Sequence, residues 1–239
     1  MLVAEHIHRM IFKRSLRYVF SFVSLLWLIK FFEWITDVSL VPLGVYPSTL
    51  KGALGIITSP LVHGDGIHLL SNTFPLIMLG IGLFYFYYHI ASKVFVWIYL
   101  LTGTGVWLVA REAYHIGASG IIYGLLSFLF FIGLFNKDNK SIVISLIVLF
   151  LYGGMIGGFF PSDFNISYES HMMGAFSGLL VAFTYRRQPM TIYDTNEQQL
   201  EDPLASQMED TNFSPPTHTH ESPGIHINVV YRQNEKSND

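Results

Sequence analysis

The sequence predicts an all-α membrane protein, a bundle of six transmembrane helices followed by a disordered tail. Three observations carry that expectation. Only 13% of the 239 residues are charged and 51% are hydrophobic, against about 25% charged in an ordinary soluble domain. Six stretches are apolar over the length of a span. Composition then shifts abruptly at residue 188. A mean hydropathy of +0.42 and the 20 Phe and 13 Tyr point the same way. The formal net charge of -3 gives no sign of a nucleic-acid partner, and with no cysteine there is no disulfide, thiolate metal site or Cys nucleophile.

Residues 1–17 form a basic segment, with His6, His8, Arg9, Lys13, Arg14 and Arg17. It is too polar for the apolar core of a signal peptide. A span needs about 20 mostly apolar residues, and the candidates are residues 18–36, 67–88, 94–110, 117–135, 141–160 and 169–185. The first contains Lys30 and Glu33, three apart on a helix, which could pair or reach back to the interface. Between the first two spans lies a loop of about 30 residues, long enough to be a folded or functional element rather than a linker. Its stretch "VPLGVYPSTLKGALGIITSPLVHGDG" clusters apolar residues between Pro and Gly.

Lys and Arg in the short connections set the expected orientation. With a cytoplasmic N-terminus, the inside holds Arg9, Lys13, Arg14, Arg17, Lys93, Lys137, Lys140, Arg186 and Arg187, and the outside only Lys51 and Arg111. Both termini are therefore expected in the cytoplasm, with loops 37–66, 111–116 and 161–168 facing out. The membrane domain spans residues 18–187. Residues 188–239 carry nine acidic side chains against Arg232 and Lys236 and are too poor in apolar residues to bury a core, so disorder is expected there.

Polar groups inside a span are costly and are functional candidates by default. They cluster near the outer ends of three spans: "HGDGIHLLSN" with His63, His68 and Asn72; "GASGIIYG" with Ser119 and Tyr123; and "HMMGAFSG" with His171. Taken alone, Ser119 reads as a helix-packing serine that bonds the carbonyl one turn back, and His171 as an interfacial histidine. The glycines change this. Gly120 and Gly124 are four apart, as are Gly174 and Gly178, so the fourth and sixth helices each carry a close-approach strip. Two such strips meeting would bring Ser119 within hydrogen-bond reach of His171, the arrangement an activated serine requires. Tyr123 could stack on the imidazole. His68 and Asn72 share a helical face, and with the Ser119 amide they could serve a developing oxyanion; a polar helix-packing pair is the other reading. No carboxylate is placed to complete a triad: Glu169 points elsewhere, and Asp65, Glu112 and Asp163 sit in loops. A zinc site from His63, His68 and His171 is a rival without an HExxH pattern behind it, so neither metal nor cofactor is expected.

These three motifs, in this order and on six spans, resemble the rhomboid intramembrane serine proteases over roughly residues 17–187. The resemblance implies a six-helix rhomboid-like bundle with Ser119 as nucleophile and His171 as general base. It also implies that Tyr123 stacks on His171, that His68, Asn72 and the Ser119 amide form the oxyanion hole, and that His63 organises a loop. Gly117, Gly120, Gly174 and Gly178 support the site. The partners implied are the lipid bilayer and transmembrane protein substrates, cleaved near the outer face. Compactness suits a bacterial inner membrane. One departure is that residues 37–66 contain neither Trp nor Arg, where many relatives carry a Trp–Arg pair, so the loop must be anchored otherwise, by Tyr46 and its prolines. A catalytically silent relative and a small transporter are the alternatives; the first usually loses the serine or histidine, and the second predicts polar groups through the whole membrane depth. In "LYGGMIGGFFP" the glycine pairs 153/157 and 154/158 suit either a segment that moves to admit a substrate helix or plain close packing.

Overall fold

The computed structural model describes residues 2–160 and 167–190. The expectations for the acidic tail beyond residue 190, and for Asp163, lie outside the described residues. Eight α-helices are present among those described: α1 (Leu2–Thr36), α2 (Leu50–Ala53), α3 (Gly55–Thr58), α4 (Gly66–Phe86), α5 (Ala91–Val109), α6 (Ser119–Asn136), α7 (Asn139–Tyr152) and α8 (Tyr168–Thr184). Five stretches are long and apolar enough to cross a bilayer: Glu5–Thr36, Gly66–Phe86, Ala91–Val109, Ser119–Asn136 and Asn139–Phe159. The 17-residue α8 is the sixth long helix.

α6 is the hub. Its buried positions run from Gly120 to Gly133, and α4, α5, α7 and α8 all pack on it, α8 most extensively. This is what an all-round apolar sequence demands: a helix with no polar face has to be enclosed. α1 lies outside on α4, where Val19 fills the space over Gly80 and Trp27 Nε1 donates to Thr73 Oγ1 at 3.1 Å. It begins well before the expected residue 18. The basic segment continues the same helix, with Phe12 edge-on to Tyr85 and Tyr18 against Phe84.

Two expectations need correcting. The fifth stretch is not α-helical to residue 160: α7 ends at Tyr152 and a 3₁₀ segment runs over Gly153–Phe159. Four glycines in six residues remove the side chains that hold an α-helix against neighbours and raise its entropy cost. Plain close packing accounts for Gly158 but not for Gly154 and Gly157, where among the described residues nothing lies within 4 Å of where a Cβ would stand.

The second correction concerns the loop anchor. Tyr46 does meet Tyr114, ring to ring at 5.1 Å, but the loop is also tied to α1, which the expectation left out. Lys30 and Glu33, 5% and 8% exposed, pair at 2.9 Å. Lys30 Nζ also donates to the carbonyls of His63 (2.8 Å) and Gly64 (3.1 Å), and Glu33 Oε1 accepts from Leu40 N (2.8 Å). Residues 37–65 thus form a folded element. It is further held by a two-hydrogen-bond bridge between Val45 and His115, by Ser48 N to Trp107 O, and by Trp107 Nε1 to Thr49 O.

Candidate active site

The site forms where α6 starts beside α8. Gly117 leads into it with φ +102°, a left-handed conformation that favours glycine. A Cβ at this position would also stand 2.8 Å from His68 Cε1, so the His68 ring packs directly on the turn that precedes Ser119. The turn is pinned on its other side, with Gly117 N donating to Ser59 O at 2.9 Å and Ala118 N to His63 Nε2 at 3.3 Å. Ser119 is the first residue of α6, where a backbone N–H has no partner in the helical ladder.

The two glycine strips meet as anticipated. A Cβ on Gly174 would lie 2.0 Å from Gly120 O, and one on Gly178 2.1 Å from Gly124 O. Backbones too close to admit even a methyl group between them bring His171 Nε2 to 3.0 Å from Ser119 Oγ. The Tyr123 ring stacks on the imidazole with centroids 4.1 Å apart and planes 13° from parallel.

The partner of the far side of the imidazole was not legible in the sequence. His171 Nδ1 donates to the carbonyl of Gly158 at 2.8 Å, and Tyr123 OH donates to Met155 O at 2.6 Å. Both acceptors belong to the 3₁₀ segment. Donation from Nδ1 puts the lone pair of a neutral imidazole on Nε2, facing the serine. Gly158 is sterically required, since a Cβ there would stand 2.0 Å from Tyr123 OH and 2.9 Å from His171 Nδ1. If the pair hydrolyses peptides, Gly158→Ala is therefore expected to cut turnover about 10–100-fold by displacing the ring, and adding Tyr123→Phe, which removes the obstructing oxygen, should recover part of it. Turnover of the single and double variants on one reporter measures this.

Of the other expected residues, Asn72 is buried and its Nδ2 donates to His68 O at 2.8 Å. It has a second N–H on the same nitrogen, while no hydrogen bond joins it to Ser119. His63 lies 1% exposed in the loop before α4, its ring 5.1 Å from that of His68. Burial, with His68 and Lys30 nearby, pushes its pKa down to about 3, so it remains neutral and keeps a lone pair for the Ala118 N–H. Asp65 caps α4 by accepting from His68 N at 2.7 Å, which lowers its pKa. Glu169 pairs with Arg111 at 3.2 Å rather than with His171. His115 was missed, although it stands two residues before Gly117. Its ring bonds Ser167 Oγ at 2.6 Å and Arg111 O at 3.0 Å, fastening the approach to α6 onto the start of α8. Among the described residues no group of three His or carboxylate side chains could hold a metal ion.

A sequence model of the Rhomboid domain matches residues 51–188, more than half of the chain and all of the site. The chain belongs to the rhomboid family. Proteins of Mycobacterium tuberculosis and Mycobacterium bovis, each described as uncharacterized, are 36% identical to it over 179 residues, covering 69% of this chain and 72% of theirs. An uncharacterized Mycobacterium leprae protein is 34% identical over 179 residues, covering 69% of each chain. This rhomboid is accordingly an integral, multi-pass membrane protein, in a family of intramembrane proteases and related proteins.

Proposed function

We propose that this rhomboid is an intramembrane serine endopeptidase that cleaves transmembrane segments of other membrane proteins near the outer face. The observation that carries the reading is the 3.0 Å contact from His171 Nε2 to Ser119 Oγ, with Nδ1 held by Gly158 O. Neutral His171 takes the hydroxyl proton as Ser119 Oγ attacks the scissile carbonyl. The tetrahedral oxyanion is met by the Ser119 N–H, the second N–H of Asn72 and His68. His171 then gives the proton to the leaving amine, and the acyl-enzyme remains on Ser119 Oγ. Water, deprotonated by the same imidazole, attacks the ester, and His171 returns that proton to Ser119 Oγ as the C–O bond breaks and the second product leaves. The test is exposure of the purified protein to a fluorophosphonate, with the adduct located by mass spectrometry, beside cleavage of a transmembrane reporter. An adduct on Ser119 with cleavage supports the reading; the absence of both reactions would falsify it and favour a silent relative.

Asn72→Ala is expected to raise the barrier by about 2–4 kcal/mol if its amide is an unshared oxyanion donor, and by less if His68 and the Ser119 amide compensate. kcat on the same reporter decides between these.

The 3₁₀ segment suits a gate. Among the described residues nothing lies within 4 Å of where a Cβ would stand on Gly154 or Gly157, and an apolar cleft of about 340 Å³ adjoins Gly153, Ile156 and Phe159. Movement of α7 away from α4 would admit a substrate helix. The chain has no cysteine, so a paired-cysteine cross-link between α4 and α7 is clean. It should block cleavage of the transmembrane reporter, and cleavage unchanged by oxidation would remove the gate.

The Lys and Arg distribution, nine against two across the short connections, supports cytoplasmic termini with the Ser119 end facing out. A bacterial inner membrane fits this compact arrangement.

A further inference from the structure

A buried ion pair inside a membrane-spanning helix is expensive, and the proposed reaction does not use Lys30 or Glu33. Their hydrogen bonds show what they touch. The three N–H donors of Lys30 go to Glu33 Oε2, His63 O and Gly64 O, and the remaining oxygen of Glu33 accepts from Leu40 N. Leu40 is where the 37–65 loop leaves α1, and His63 and Gly64 are where it enters α4. A pair needed only to neutralise itself would not capture backbone groups at both ends of one loop. The loop exit leads directly to the proposed site. From His63 the ring accepts the Ala118 N–H. Asp65, the residue after Gly64, caps α4 at His68, whose ring packs on Gly117. Trp34, next to Glu33, lies under Gly66.

We propose that Lys30 and Glu33 are positioning residues for the active site, closing the 37–65 loop onto α1 so that His63 and His68 are held against the Gly117–Ser119 turn. The activity side of this inference rests on the protease reading; its structural side does not.

The experiment compares wild type, Lys30→Met and Lys30→Met/Glu33→Leu as full-length protein in liposomes. The single variant leaves a buried carboxylate without its cation, so its thermal midpoint should fall. The double variant replaces the pair by apolar groups and should regain the midpoint, since buried pairs are often replaceable in this way. Its kcat should nevertheless remain at least about tenfold low with KM unchanged, because the loop carbonyls have lost their donor. Amide hydrogen exchange should rise in peptides covering residues 59–72 and 115–120 and not in the body of α6 or α8. Wild-type kcat and protection in the double variant would overturn the inference, as would exchange that rises equally through α6 and α8, which marks a general stabiliser. If wild type neither cleaves nor labels, the protease reading fails, and the exchange pattern alone decides the positioning role.

Discussion

Ser119→Ala and His171→Ala are each expected to reduce cleavage by roughly 10⁴-fold or more, and combining them should cost little beyond either alone. The hydroxyl and the imidazole act as one unit. His171 Nε2 has a proton to accept only because Ser119 Oγ stands 3.0 Å away, and the hydroxyl is a weak nucleophile without a base. Ser119→Ala removes the atom that bonds a fluorophosphonate, so labelling should vanish with cleavage. His171→Ala keeps the oxygen and should label very slowly. Thermal midpoints near wild type in both variants identify the loss as chemical. Full cleavage surviving Ser119→Ala removes the dyad from consideration.

Gly174→Ala carries the next largest expected effect, although residue 174 touches no reacting atom. One methyl group there would stand 2.0 Å from Gly120 O, a backbone atom that no rotamer change can move. The α6 and α8 backbones must separate by about an ångström or more to reach ordinary contact distance. His171 lies one turn before Gly174 and Ser119 next to Gly120, so the separation opens the 3.0 Å contact directly. A misplacement of about 1 Å can cost on the order of 10²-fold in rate, and that loss of turnover is expected with a lowered thermal midpoint. Gly154→Ala is the control. It adds the same methyl group where no described residue lies within 4 Å, and should leave both measurements near wild type. Equal effects of the two substitutions would mean that helix propensity, not close approach, governs both.

Much of this was legible because it depends on local period and length. Apolar runs marked the helices, and spacings of four placed Gly120 with Gly124 and Gly174 with Gly178. Small strips on two helices announce a close crossing whatever the rest of the bundle does. The crossing in turn implied that Ser119 and His171, 52 residues apart in the chain, would meet. The 3₁₀ break after Tyr152 was less legible, because glycine permits several backbone states and does not choose among them.

By itself, then, the sequence determined an apolar multi-helix chain, the two glycine strips and the Ser, His and Tyr side chains that they gather. Those properties are carried by side-chain type and periodicity, which the sequence writes openly. Only the tertiary structure decided which groups complete the site: Gly158 O behind His171, Met155 O on Tyr123, and the carbonyls of His63 and Gly64 on Lys30. These acceptors are backbone atoms. Every residue has one, so no residue type marks it, and its direction is fixed only when the chain around it has folded.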